Sequence, residues 1–183
     1  MQMNAWVGED YFALFGLARA FRLDLQALAS AYRGLLDRCH PDRFARASDA
    51  ERRRALENAT YVNHAYVTLR RPLERARYLL ELEGVDCLSD RFAAEPPEFL
   101  VEQMQWREAI EAARNNGDCA GLREIGRRLD EKCAALESEL VRLLDEDRDF
   151  NRAAKQLRML SFLEAIRRDL GRLAQTLGEA DAV

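Results

Sequence analysis

Nine glycines, four prolines and four cysteines are spread over 183 residues, and each scarcity excludes something. With so few helix breakers among long runs of alanine, leucine, glutamate and arginine, helix is expected almost throughout, and no segment alternates apolar and polar residues as a half-buried strand would. Cys39, Cys87, Cys119 and Cys133 include no Cys-x-x-Cys pair, which argues against a zinc-binding module and fits a reduced compartment. No apolar run approaches the roughly 20 residues that cross a bilayer, and residues 1–10 do not read as a signal peptide. A cytoplasmic chain with no membrane partner is the expectation.

The hydrophobic share of 48% is ordinary for a globular protein and the charged share of 33% is high. The net charge of −4 conceals an asymmetry: residues 1–84 carry 13 basic and 11 acidic side chains, residues 85–183 carry 15 and 21. A mildly basic front and an acidic back point to two different partners. The arginine runs 52–54 and 70–71 fall on expected helices among acids, without interleaved aromatics, so they read as solvated faces and not as a nucleic-acid surface.

Leu25, Leu28, Tyr32, Leu35, Leu36 and Cys39 recur at spacings of three and four after Asp24, the pattern of an amphipathic helix with an aspartate N-cap. Pro41 removes a backbone donor and should stop that helix. Ser48 and Glu51 have the spacing of a capping box that starts the next one. The tripeptide His40-Pro41-Asp42 is therefore expected on a tight, exposed turn between two helices. Four helices are expected near 10–18, 24–39, 48–70 and 72–83. A connector follows, broken by Gly84, Ser89 and Pro96-Pro97, and then helices near 97–115, 118–146 and 149–178. Asp118 and Asp149 are the expected caps of the last two. Leu122, Ile125, Leu129, Cys133, Leu136, Leu140 and Leu144 form a near-heptad stripe, as in an antiparallel three-helix bundle. Because each half has a small core, the halves are expected to pack together through Leu79, Leu80, Leu82, Leu88 and Phe92.

The His-Pro-Asp turn, with Asp10-Tyr-Phe-Ala-Leu-Phe-Gly-Leu17 before it and Asn63-His-Ala-Tyr66 after it, resembles a J domain, the module by which co-chaperones stimulate DnaK-class ATPases. The continuation Pro72-Leu-Glu-Arg-Ala-Arg-Tyr-Leu-Leu80, with Phe99–Glu108 and Leu157–Leu163, resembles the HscB branch of iron–sulfur cluster assembly. The resemblance spans nearly the whole chain. It implies an all-α protein with a J domain over 1–84, a connector over 85–95 and a three-helix scaffold-binding domain over 96–183. It implies no enzymatic activity and no cofactor. The partners implied are an HscA-type chaperone ATPase and an IscU-type scaffold.

For the chaperone, the expected contacts are His40, Pro41 and Asp42, with Arg33, Arg38 and Arg43 as a basic flank. An aspartate can take a bidentate pair from a partner arginine, and a proline limits the entropy lost when the turn docks. Arg33 and Arg38 fall outside the apolar stripe of their helix. Arg43 stands where the family often has lysine, and Cys39 where it often has an aromatic; packing is the expected role of Cys39. Cys39, His40, Asp42 and His64 lack the spacing of a zinc site, so no metal is expected.

On the helix near 97–115, Phe99, Gln103, Trp106, Ile110 and Ala113 share one face, while Leu100, Val101, Met104 and Glu108 project elsewhere. Periodicity alone leaves the second face open between partner binding and packing against residues 72–95. The resemblance places a scaffold-binding patch on Leu100, Val101, Met104, Gln105, Glu108 and Phe162. Gln105 replaces a frequent glutamate there, and Val101 a bulkier methionine. A general J protein delivering unfolded clients to DnaK is the nearer alternative, disfavoured by the lack of a Gly/Phe-rich linker. A helical interaction scaffold whose turn is only a turn is the other.

Overall fold

In a computed structural model, residues 6–44, 47–87 and 97–180 are described, with side chains except at Pro41, Asp42, Glu98 and 176–180. The described residues form helices and connecting turns, with no strand among them. The chain divides into two compact units, Met1–Leu79 and Leu80–Val183. The division falls inside a helix, and most of the expected connector lies outside the described residues, as do Leu88 and Phe92.

The N-terminal unit contains α1 (Tyr11–Leu14), α2 (Leu25–Arg38), a 3-10 turn (Pro41–Phe44), α3 (Asp49–Arg70) and most of α4 (Pro72–Leu82). Asp24 caps α2 by accepting from the backbone N–H groups of Gln26 and Ala27 at 2.8 and 3.0 Å. Ser48 and Glu51 close the expected capping box at the start of α3. α1 is shorter than expected. Gly16, at φ 67°, takes the left-handed conformation that glycine adopts without a Cβ clash. There the N–H groups of Gly16 and Leu17 bond back to Ala13 and Phe12, a Schellman end. Phe12, Leu28, Val62, Ala65 and Leu69 are fully buried, and Cys39 joins them at 1% exposure. Leu25, expected in the apolar stripe, stays half exposed at the first turn of α2.

Polar groups close this unit. The backbone N–H of Trp6 donates to the Asn58 side chain at 3.0 Å, both residues buried. Arg75, also buried, donates to the Leu69 carbonyl at 2.6 Å and lies over the Phe21 ring at 4.8 Å. Tyr11 stacks on Tyr78 at 4.3 Å, and the Tyr78 hydroxyl accepts from the Tyr11 N–H at 3.0 Å. Burial, with a smaller contribution from the nearby Asp10 carboxylate, pushes the Tyr78 hydroxyl up to about 12.

The second unit is an antiparallel bundle of α5 (Pro97–Asn115), α6 (Cys119–Val141) and α7 (Phe150–Ala180). Leu122, Ile125, Leu129, Cys133, Leu140 and Leu144 are buried as their stripe requires, facing Ala153, Leu157, Leu160, Leu163 and Ile166 of α7. Gly117, at φ 63°, makes the turn from α5 into α6, and Asp118 caps α6 through the Gly121 N–H at 2.8 Å. The Asp149 carboxylate accepts from the Arg152 N–H at 3.0 Å at the start of α7. α6 does not run to its expected end as an α-helix: Arg142–Glu146 widen into a π turn. The Asp147 N–H reaches the Arg142 carbonyl at 2.8 Å, and Arg148 takes a left-handed φ of 53°. The chain thereby reverses within a few residues, with Leu143 and Leu144 still buried.

Candidate functional site

Two surfaces carry the residues singled out in the sequence, one on each unit. On the first, α2 ends at Arg38, and the Cys39 N–H is shared between the Leu35 and Leu36 carbonyls at 3.3 and 3.2 Å. Pro41 then opens the 3-10 turn, where its missing N–H costs nothing. The Arg43 N–H donates to the His40 carbonyl at 3.0 Å. His40 directly precedes this one-turn helix and Pro41 and Asp42 open it, in line with the tight turn expected. Arg43 reaches back to the Asp37 carboxylate at 2.8 Å, tying that turn to the last turn of α2. Arg33, Arg38, His40 and Arg43 are exposed. Arg38 lies 5.0 Å over the Trp6 ring; among the described residues no carboxylate pairs with Arg33. The side chains of Pro41 and Asp42 lie outside what is described. Cys39 is packed, its thiol donating to the Leu35 carbonyl at 3.3 Å, and burial pushes that thiol up from its ordinary value.

On the second surface, the phase of α5 decides which side chains face water. Phe99, Trp106 and Ala113 are buried, Gln103 and Ile110 half-buried. Leu100, Val101 and Met104 are 48%, 53% and 60% exposed, and Gln105 and Glu108 are exposed beside them. Phe162 of α7 is half-buried and meets the Phe99 ring edge-on at 5.5 Å. Val101 and Gln105 line a depression against α6 with Trp106, Arg128 and Lys132. Leu100, Met104 and Glu108 lie along the outer ridge, and Phe162 sits on the α7 flank. The α6 flank was not legible as part of the site. There Lys132 pairs with Glu102, and Arg128 lies 5.1 Å over Trp106. Among the described residues no group of His, Cys, Asp and Glu is placed to hold a metal ion. No helix among them is long and apolar enough to cross a membrane.

A helical hairpin with His-Pro-Asp at its turn, followed by a separate helical bundle, defines a J-domain protein with a C-terminal helical domain. A family model described as "HSCB C-terminal oligomerisation domain" matches residues 95–171. The "Co-chaperone protein HscB homolog" of Azoarcus sp. (strain BH72) is 45% identical over 162 residues, covering 88% of this chain and 92% of that protein. The solved chaperone HscB from Vibrio cholerae superposes with a TM-score of 0.82 at 35% identity, covering 92% of this chain and 99% of that one. Human co-chaperone protein HscB gives 0.81 at 28% identity, over 90% and 82%. The chain belongs to the HscB co-chaperone family.

Proposed function

We propose that this protein is a non-catalytic co-chaperone of the cytoplasm that couples an HscA-type ATPase to an IscU-type iron–sulfur scaffold. The His40-Pro41-Asp42 turn docks on the ATP-bound chaperone, with Asp42 offered to a partner arginine and Arg33 and Arg38 to an acidic surface. The Arg43–Asp37 pair and Pro41 stiffen the turn, so less entropy is lost on docking. Acceleration of hydrolysis requires that the turn bind one state of the ATPase better than the other. The bundle holds the scaffold on α5, so that hydrolysis is coupled to transfer of the cluster to acceptor proteins.

One observation carries the scaffold half of the reading. Leu100, Val101 and Met104 are about half exposed on a helix whose opposite face is already buried, and apolar surface of that kind marks an interaction site. Its test separates the two halves. Asp42→Asn should abolish stimulation of an HscA-type ATPase while leaving scaffold affinity and thermal unfolding at wild-type values. Leu100→Ala/Met104→Ala/Phe162→Ala should weaken scaffold binding at least about tenfold, less than a sum of full side-chain contributions because neighbours do not add. Basal stimulation without scaffold should be retained. A folded triple variant with wild-type affinity would overturn the site on α5, and normal stimulation by Asp42→Asn would overturn the role of the turn.

A further inference from the structure

We propose that Trp6 is a positioning residue for chaperone docking: its ring holds the guanidinium of Arg38 in place at the end of the helix that leads into the His-Pro-Asp turn. The inference rests on the reading of Arg38 as part of the basic flank that meets the ATPase. Trp6 precedes the segments that carry the J-domain resemblance, yet it is firmly anchored. Its N–H donates to the Asn58 side chain at 3.0 Å, both residues buried. Its carbonyl accepts from the Glu9 N–H at 3.0 Å, with Gly8 between them at φ 95°, the conformation that a type II turn asks of its third residue. The Glu9 carbonyl in turn accepts from the Tyr61 hydroxyl. Asn58 and Tyr61 both belong to α3, whereas Arg38 is the last residue of α2. Trp6 is therefore fixed from one helix while its ring lies 5.0 Å under the guanidinium of the other, and it bridges the two helices that flank the turn.

The way Arg38 is held decides what it can still do. An indole face attracts a cation through its quadrupole, and among the described residues no carboxylate pairs with Arg38. Its charge is not neutralised by an acid, and its N–H donors remain for a carboxylate on a partner. Arg43 is held differently, because the Asp37 carboxylate takes its guanidinium at 2.8 Å. Among the described residues neither a ring nor a carboxylate holds Arg33. An arginine that moves freely loses much of its rotamer freedom when it docks. One already confined over a ring that is itself buried loses less. Trp6, only 7% exposed, thus favours docking through Arg38 without reaching the partner itself.

The test uses the full chain and a purified HscA-type ATPase. It reads the concentration for half-maximal stimulation, the maximal stimulation and thermal unfolding. Trp6→Leu should raise the half-maximal concentration about two- to fivefold, the size of a surface cation–π contact, with the maximum unchanged. Arg38→Gln should raise it at least as much, since it also removes the contact with the partner. Trp6→Phe keeps an aromatic face and should recover part of the loss. In the Arg38→Gln chain, Trp6→Leu should change nothing further, because the residue it acts through is already gone. A purely structural role would weaken docking by the same factor in both backgrounds, and that additivity would overturn the inference, as would wild-type docking by Trp6→Leu. If Arg38→Gln itself docks as wild type, the reading of Arg38 fails and takes the inference with it. Tryptophan emission gives a second measure that leaves Trp6 in place. In a Trp106→Phe chain Trp6 is the one remaining tryptophan, and Arg38→Gln, at an exposed position, should shift its emission. Unchanged emission would mean that ring and guanidinium do not meet in solution, and would overturn the proposal even where Trp6→Leu fails to fold.

Discussion

The two units are stabilised in different ways. In the N-terminal unit, groups far apart in sequence meet through polar and aromatic contacts: Trp6 with Asn58, Tyr11 with Tyr78, Phe21 with Arg75. In the bundle, an aliphatic seam runs along α6 and α7 and the charged residues pair across its surface. Directional contacts position particular backbone segments, and the first unit presents its candidate residues on a turn whose placement matters. A seam fixes only helix phase, and the second unit presents its candidates on an outward face, where side chains change without disturbing what holds the helices. Each unit can therefore lose its candidate surface without losing its fold.

The largest expected effect lies in the seam. Leu129 is fully buried, and Leu129→Ala should cost about 2–5 kcal/mol, the transfer loss plus the residual cavity. Chemical denaturation would show it as a lower midpoint with an unchanged slope. Next comes Asn58→Ala in the first unit. It removes little volume but leaves the buried Trp6 N–H without its acceptor, which should cost about 1–3 kcal/mol. Equal tolerance of Asn58→Ala and a surface alanine substitution would mean that the first unit is also held mainly by its apolar core.

What could be read ahead of the structure follows the same divide. The caps at Asp24, Ser48, Asp118 and Asp149 are local, each within three residues of its partner, and were legible. So was the seam from Leu122 to Leu144, because a helical period declares its own face. Trp6 with Asn58 and Phe21 with Arg75 were not, because nothing local ties residues more than fifty apart. Gly16 did signal the early end of α1, and the longer helix overrode it. The π turn and the left-handed Arg148 carry no comparable mark; Arg148 lies 3.1 Å from Glu83 and over the Phe150 ring, partners that only the fold supplies. At the site, the exposure of Leu100, Val101 and Met104 followed from the phase of α5. Which depression each residue lines did not, because that depends on where α6 and α7 lie.

A smaller effect tests whether local caps matter in the first unit beside its long-range clamps. Ser48→Ala removes the hydroxyl that serves the Glu51 N–H and the Glu51 carboxylate, and should cost about 1 kcal/mol. Hydrogen bonds from the Ser48 hydroxyl and backbone N–H hold the Glu51 carboxyl below its ordinary 4.5. A depressed carboxyl stabilises the fold above its unfolded pKa and loses that contribution as pH falls through the folded value. The gap between wild type and Ser48→Ala should therefore be widest near neutrality and narrow below pH 4.5. A gap independent of pH would assign the effect to the neutral cap alone.

The smallest expected effect lies on the surface of the bundle. Arg167 and Asp130 join α7 to α6 at 3.2 Å, with their side chains about half and nearly two-thirds exposed. Burial opposes the charge on Arg167, while the hydrogen bond to Asp130 favours it, and the guanidinium ends above its ordinary value. With water and salt screening the pair, its coupling in a double-mutant cycle of Arg167→Ala and Asp130→Ala should be below about 1 kcal/mol and shrink as salt is added. Such a result would leave the seam as the source of the bundle's stability and its paired arginines as contributors to solubility and register. A coupling well above that size, insensitive to salt, would mean that directional contacts hold the second unit as they hold the first. The contrast between the units would then be one of sequence distance alone.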